Sequence, residues 1–320
     1  MRPTTVLTAT LAVALLATAA WGATTAPPPQ TNLRPTIGIL SQPTFGTLAN
    51  WGKQYIAASY IKYVEGAGAQ AVPIRYDLPA EEITELFRSV NGLLLPGGGV
   101  ELGDNKYTQT LFQLLDLAVA ANKAGDFFPV HGTCFGFQEI AMYVANDLNL
   151  LINTDSENLT LPLEFTHAAA SSAMFGDAPA EIMDILAKQP VTMNNHHYSL
   201  SPAGFAASSN LTAFFNVLST NVDRNGIEFI STMEAKDMPI TATQWHPEKP
   251  LYEWDPVEVI NHSSDAVKAM QFTAQAFVSN SRSNSHTFAS QTAENKALIY
   301  NFNPVYTEQA VNSFDQCYFW

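Results

Sequence analysis

Short apolar runs, each followed by a stretch with helical spacing, organise the first half of the chain. Thr36–Ser41 (TIGILS) is an apolar run of strand length, which predicts a buried strand. Tyr55 to Glu65 carries a helical pattern that ends at Gly66. Ala71–Arg75 predicts a second strand and Pro79–Arg88 a second helix. Asn91–Leu95 predicts a third strand, cut off by Pro96-Gly97-Gly98-Gly99. Leu111, Leu114, Leu115 and Ala118 put an apolar stripe on a helix over Tyr107–Ala124. A fourth strand is expected over Phe127–Val130 and a fourth helix over Phe135–Asn146. This alternation predicts an α/β fold, a mostly parallel central sheet with helices on both faces. In such folds ligands gather at the carboxyl ends of the strands. The glycine loop after the third strand and the Cys134 turn after the fourth share that edge.

The second half is richer in strand patterns: Val191–Asn194, Ala213–Ser219, Ile227–Met233 and Ile240–Trp245. An amphipathic helix follows over Asp265 to Val278. The last forty residues are polar and weakly periodic, and no element is predicted there. No internal repeat and no second linker break the chain, so one catalytic domain over residues 35–320 is expected.

The amino terminus reads differently. Arg2 and the apolar run Val6 to Ala20 predict a signal peptide over residues 1–22, with cleavage near Gly22 or Ala23. A Pro/Thr-rich linker over 23–34 follows. A membrane anchor is the weaker reading, because the run is short for a span and Thr24 to Pro29 follows at once. A soluble, exported protein is expected, in the extracellular space or in a lysosome or vacuole. With 29 acidic residues against 15 basic ones, the formal net charge is −14. Such a surface repels phosphate backbones and anionic bilayers, so neither nucleic acid nor membrane is an expected partner. A homodimer is compatible with the sequence.

Export makes the cysteine count informative, because secreted chains usually use cysteines in disulfides. Only Cys134 and Cys317 occur. A bridge between them, or an inert buried thiol, is the plain alternative to a reactive cysteine. Three Asn-x-Ser/Thr tripeptides, at Asn158, Asn210 and Asn261, are glycosylation candidates for an exported protein.

Gly132-Thr133-Cys134-Phe135-Gly136 follows an apolar run and precedes a helix. That is the arrangement of a nucleophile elbow, with cysteine in place of serine. The glycines permit the sharp turn, and the sulfur lands at a helix N-terminus, where the backbone dipole favours a thiolate. Gln244-Trp245-His246-Pro247-Glu248, after the strand pattern ITAT, supplies a base, with Glu248 placed to orient the imidazole. Backbone N–H groups at Gly98 and Phe135 are candidates for an oxyanion hole. The glycine run lacks the Lys and Ser/Thr of a phosphate-binding P-loop. The seven histidines are scattered, so no metal is implied, and no cofactor is required.

From Pro35 onward the chain resembles the gamma-glutamyl hydrolase family, a lysosomal and secreted branch of the class I glutamine amidotransferase-like proteins, whose fold is flavodoxin-like. Gly132-Thr-Cys-Phe-Gly-Phe137 and Gln244-Trp-His-Pro-Glu-Lys249 carry the wider likeness, together with Asn91-Gly-Leu-Leu-Leu-Pro-Gly-Gly98. Tyr55-Ile-Ala-Ala-Ser-Tyr60 and Phe229-Ile-Ser-Thr-Met-Glu234 are specific to the hydrolase branch. The resemblance implies cleavage of gamma-linked glutamates from folate and antifolate poly-gamma-glutamates, with Cys134 as nucleophile, His246 as base and Glu248 as its orienter. It also implies substrate-assisting roles for His196 and Tyr60. Gln138 stands where the animal hydrolases usually carry glutamate and the amidotransferases carry glutamine, which implies either a changed substrate preference or a kept hydrogen bond to the glutamyl group. Two rivals are a glutaminase feeding ammonia to a synthetase and an inactive binding protein. Against them stand the missing synthetase domain and the filled triad positions.

Overall fold

The computed structural model describes residues 27–311 and 313–320. The expected signal peptide, its cleavage site and the first linker residues lie outside the described residues. The first half runs β1 (Thr36–Leu40), β2 (Gln42–Pro43), β3 (Gln54–Ala57), α1 (Ala58–Gly66), β4 (Gln70–Ile74), α2 (Ala80–Phe87), β5 (Gly92–Leu95), α3 (Lys106–Lys123), β6 (Val130–Thr133) and α4 (Phe135–Ala145). The second runs β7 (Ile152–Leu161), β8 (Glu164–Phe165), α5 (Ala180–Lys188), β9 (Thr192–Ser199), α6 (Pro202–Ala207), α7 (Ser209–Phe214), β10 (Phe215–Val222), β11 (Glu228–Ala235), β12 (Ile240–Thr243) and α8 (Lys249–Tyr252). The chain closes with α9 (Ser264–Ser281), α10 (Gln291–Ala297), β13 (Val305–Tyr306) and β14 (Gln316–Phe319).

The central sheet has the order β4-β1-β5-β6-β12-β11-β10-β8. From β4 to β12 every pairing is parallel; β11, β10 and β8 add an antiparallel edge. The α/β expectation therefore holds. Strand β1 shows why both faces are covered. Ile37 and Ile39 point into a core with Tyr60, Ile61 and Val64 of α1 and Phe277 and Val278 of α9. Leu40 packs on the other side, in a core with Ile83 of α2, Leu111 and Leu114 of α3, and Phe137 and Ile140 of α4. A strand buried on both sides needs an unbroken apolar run, which is what TIGIL supplies.

Of the expectations that shift, four position the site. Residues 54–57 form a strand rather than the start of a helix, because Tyr55 and Ile56 pair with Phe319 and Tyr318 of β14. The carboxy-terminal segment, which had no predicted element, thus completes a second sheet of order β13-β14-β3-β2. The fourth strand lies at Val130–Thr133, three residues later than expected, so it runs straight into Cys134. Finally, β9 extends from the expected Val191–Asn194 to Ser199 because β7, which carries no strong local pattern, pairs with it antiparallel. Among the described residues no helix is long and apolar enough to cross a membrane.

Candidate active site

Cys134 sits between β6 and α4 with φ 51° and ψ −102°, a conformation an L-residue adopts only under constraint. Its N–H donates to Thr243 O of β12 at 2.7 Å, and its carbonyl accepts Gln138 N–H at 3.0 Å. The flanking glycines have a steric reason. A Cβ on Gly136 would lie 2.1 Å from Leu95 O, and one on Gly132 would lie 2.8 Å from the Gly136 backbone. Only glycine lets α4 start this close to β5 and β6. The turn forces the thiol outward at the strand end.

Trp245, fully buried with its Nε1–H donated to Thr232 Oγ1 at 3.0 Å, anchors the segment after β12. His246 follows, its N–H donated to Met193 O at 2.8 Å. Its Nδ1 lies 2.6 Å from Glu248 Oε1, and both side chains are buried. A carboxylate only accepts, so Nδ1 carries the proton and the other ring nitrogen is left for Cys134. Burial alone pulls the imidazole down, but the Glu248 charge and the hydrogen-bonded Cys134 outweigh it and push His246 up to about 10. Burial raises the Glu248 carboxyl, and the facing imidazole overcomes that, leaving it below its ordinary value. The two shifts agree on a charged pair.

Gly97 is the hub of the site. A Cβ there would lie 2.7 Å from His246 Cε1, 2.7 Å from Tyr60 Oη and 3.0 Å from Cys134 Cβ. Its N–H donates to Tyr60 Oη at 2.8 Å, so that amide is occupied. Among the described residues no protein acceptor is found for Gly98 N–H or Phe135 N–H, and both residues line the cleft. Gln42 braces the loop, its Nε2–H donated to Pro96 O at 3.1 Å.

These residues open onto a cleft of ≈ 580 Å³ lined by Phe45, Gly98, Cys134, Phe135, Gln138, Asn195, His196, His246, Lys249 and Phe314, among others. Its size suits a small organic substrate. A second pocket of ≈ 400 Å³, lined by Val119, Lys123, Tyr143, Phe214 and Met238, contains none of the candidate catalytic side chains.

The structure divides the remaining candidates. Gln138 lies on the cleft wall, with Nε2–H donated to Tyr198 O at 2.7 Å. His196 also lies there, but Nδ1 has Ser199 Oγ at 2.9 Å and Nε2 has Asn194 Oδ1 at 3.2 Å. Burial, reinforced by the charge on His246, pushes His196 down to about 3. It is a neutral ring with both nitrogens engaged, suited to holding β9 rather than to moving a proton. Tyr60 is 1% exposed and lies behind His246, off the cleft wall, so it positions the loop instead of meeting substrate.

Cys134 and Cys317 are both free thiols, and Cys317, buried on β14, is pushed up to about 12 by its burial. Asn210 is exposed on α7, whereas Asn261 donates Nδ2–H to Pro190 O at 2.8 Å. Asn158 is half-buried, its side chain tied to the backbone of Val257 and Val259 beside the cleft. Sequence reasoning missed Gln42, Asn195 and Phe314. Gln42 comes from the two-residue strand β2, Asn195 from the unexpected extension of β9 and Phe314 from the segment just before β14, and none carries a local signal.

Residues 35–248 match the Peptidase C26 family. Over 285 residues the chain is 47% identical to a gamma-glutamyl hydrolase of Mus musculus, covering 89% of each chain. It is 44% identical over 286 residues to a gamma-glutamyl hydrolase of Homo sapiens, again covering 89% of each. In fold it is similar to the glutaminase domain of Trypanosoma brucei CTPS bound to acivicin, with TM-score 0.51 and 15% identity over 80% of this chain and 98% of that one. At that identity the likeness concerns the fold alone.

Proposed function

Because this chain belongs to the Peptidase C26 family, we propose that its cysteine hydrolase chemistry runs through Cys134 as nucleophile, His246 as acid and base, and Glu248 as the residue that orients His246. The enzyme is a cysteine-type hydrolase of gamma-glutamyl bonds. The observation that carries the residue roles is the buried His246–Glu248 pair beside the thiol on the strained elbow turn.

The Cys134 sulfur attacks the gamma-carbonyl carbon of a glutamyl residue, and the carbonyl electron pair moves onto oxygen. Gly98 N–H and Phe135 N–H bind that oxyanion. As the tetrahedral centre collapses, the C–N bond breaks and protonated His246 gives its proton to the departing nitrogen. The acyl group stays on sulfur as a thioester. Neutral His246 then removes a proton from water, hydroxide adds to the thioester carbon, and the thiolate leaves. Glu248 keeps the ring in one tautomer through both halves.

The substrate class is folate and antifolate poly-gamma-glutamates, supported by the motifs shared with the hydrolase branch. The decisive experiment assays Cys134→Ala on a folate polyglutamate. Loss of glutamate release is expected, and retained hydrolysis would sink the assignment. Export is supported by Arg2 and the Val6–Ala20 run. Secreted protein should begin near Gly22 or Ala23, and recovery of the chain only inside the cell, starting at Met1, would overturn export.

A further inference from the structure

The cleft wall carries a cation that the hydrolytic machinery leaves unused. Lys249 follows Glu248 directly, is 1% exposed, and lines the same cleft as Cys134 and His246. Among the described cleft-lining residues it is the sole lysine or arginine, whereas Glu101 and Glu157 lie on the same wall. Among the described residues two partners hold the ammonium: the Glu258 carboxylate, which accepts one N–H, and Ser313 O, which accepts another at 3.2 Å. Glu258 is itself held by Asn195 Nδ2–H at 3.0 Å. An ammonium has three N–H donors, so one remains for the cleft.

We propose that Lys249 recognises the leaving residue, receiving on this third N–H the α-carboxylate of the glutamate that departs from the scissile bond, while Glu258 and Ser313 fix the ammonium in place. This rests on the gamma-glutamyl hydrolase reading. In a gamma-linked chain every residue keeps its α-carboxylate free, on the carbon that bears the scissile nitrogen. His246 must reach that nitrogen to protonate it. Lys249 lines the same cleft as His246, so the leaving residue that His246 protonates is taken to lie against it. In an α-linked chain an internal residue has no such carboxylate, so the contact reads the linkage as well as the residue. A protein of net charge −14 with glutamates on the wall needs a local cation to admit an anionic substrate. Holding that cation between fixed acceptors lowers the entropy lost when substrate arrives.

The test compares two substrates on the full mature enzyme: gamma-glutamyl-glutamate, and gamma-glutamyl-propylamide, whose leaving amine lacks a carboxylate. Lys249→Met should lower the ratio of their kcat/KM values by about 10–100-fold, the usual worth of a hydrogen bond to a charged group. A ratio that stays as in wild type overturns the proposal, whatever happens to the two rates. Should Lys249→Met fail to fold, Glu258→Gln provides the second measurement. It withdraws the competing charge and should lower KM for gamma-glutamyl-glutamate several-fold relative to the propylamide. Equal changes on both substrates would overturn the role. A wild-type enzyme that cleaves neither compound overturns the reading of the reaction, and the role of Lys249 with it.

Discussion

The Gly97 amide donates to the Tyr60 hydroxyl oxygen at 2.8 Å, and that bond takes Gly97 N–H out of the donors free for an oxyanion. With Gly97 N–H engaged, Gly98 N–H is the donor left to the loop's open side. The same hydroxyl lies 3.3 Å from His246 Nδ1, so one side chain sets the position of both loop and imidazole. Tyr60→Phe leaves a buried N–H without an acceptor, which should cost about 1–3 kcal/mol. Thermal unfolding should show a lowered Tm, and turnover should fall more than KM changes. A variant with wild-type Tm and kcat would remove Tyr60 from the positioning network.

Glu248→Gln tests the electrostatic half of the site. Glu248 holds the His246 imidazole up, so removing its charge must bring the imidazole down from about 10 toward its ordinary value. His246 then loses its proton at lower pH, and the alkaline limb of the kcat profile moves down with it. The rate should fall by about 10²–10⁴-fold, as expected when the orienting acid of a triad is neutralised. An alkaline limb that does not move would show that Glu248 does not set the charge on His246.

Gln138 gives its Nε2–H to Tyr198 O, an atom that can only accept. Gln138→Glu places a carboxylate against that carbonyl, and the contact is satisfied only when the carboxyl keeps a proton. The rate of this variant should be closest to wild type at acidic pH and fall as pH rises toward neutrality. Rates at pH 5 and pH 7.5 check this. A constant ratio of variant to wild type at the two pH values would mean that the side chain turns away from Tyr198.

Glu253 links the segment after α8 to β14, accepting Asp315 N–H at 2.7 Å. Burial raises its carboxyl to about 7 from the ordinary 4.5. A folded-state value above the unfolded one adds stability that is full below about 4.5 and is lost as pH rises through about 7. Across that window the native protein should lose on the order of 3 kcal/mol through this group. Glu253→Gln keeps the acceptor for Asp315 and should flatten the fall in Tm between pH 4.5 and pH 7. An unchanged slope would show that Glu253 ionises freely in the folded state.

Much of the site was legible before the fold was known. The Gly-x-Cys-x-Gly turn and the His246-Pro247-Glu248 segment are local devices whose chemistry is written in adjacent residues. The glycines announce a close approach, and the structure identifies it as that of α4 to Leu95 O. The roles of His196 and Tyr60 were not legible. A residue type does not say whether its nitrogen or hydroxyl is already engaged, and in both side chains it is.

The sequence by itself determined the elbow, the histidine–glutamate pair and the alternating strands and helices, because turn sterics and burial periodicity act over a few residues. Only the tertiary structure decided that residues 54–57 are strand, that the final segment walls the cleft with Ser313 and Phe314, and that Lys249 stands there between Glu258 and Ser313. These depend on contacts between residues up to about 260 positions apart, such as Ala57 with Cys317. Pairing at that distance leaves no periodicity in either partner alone, since each strand is completed by the other.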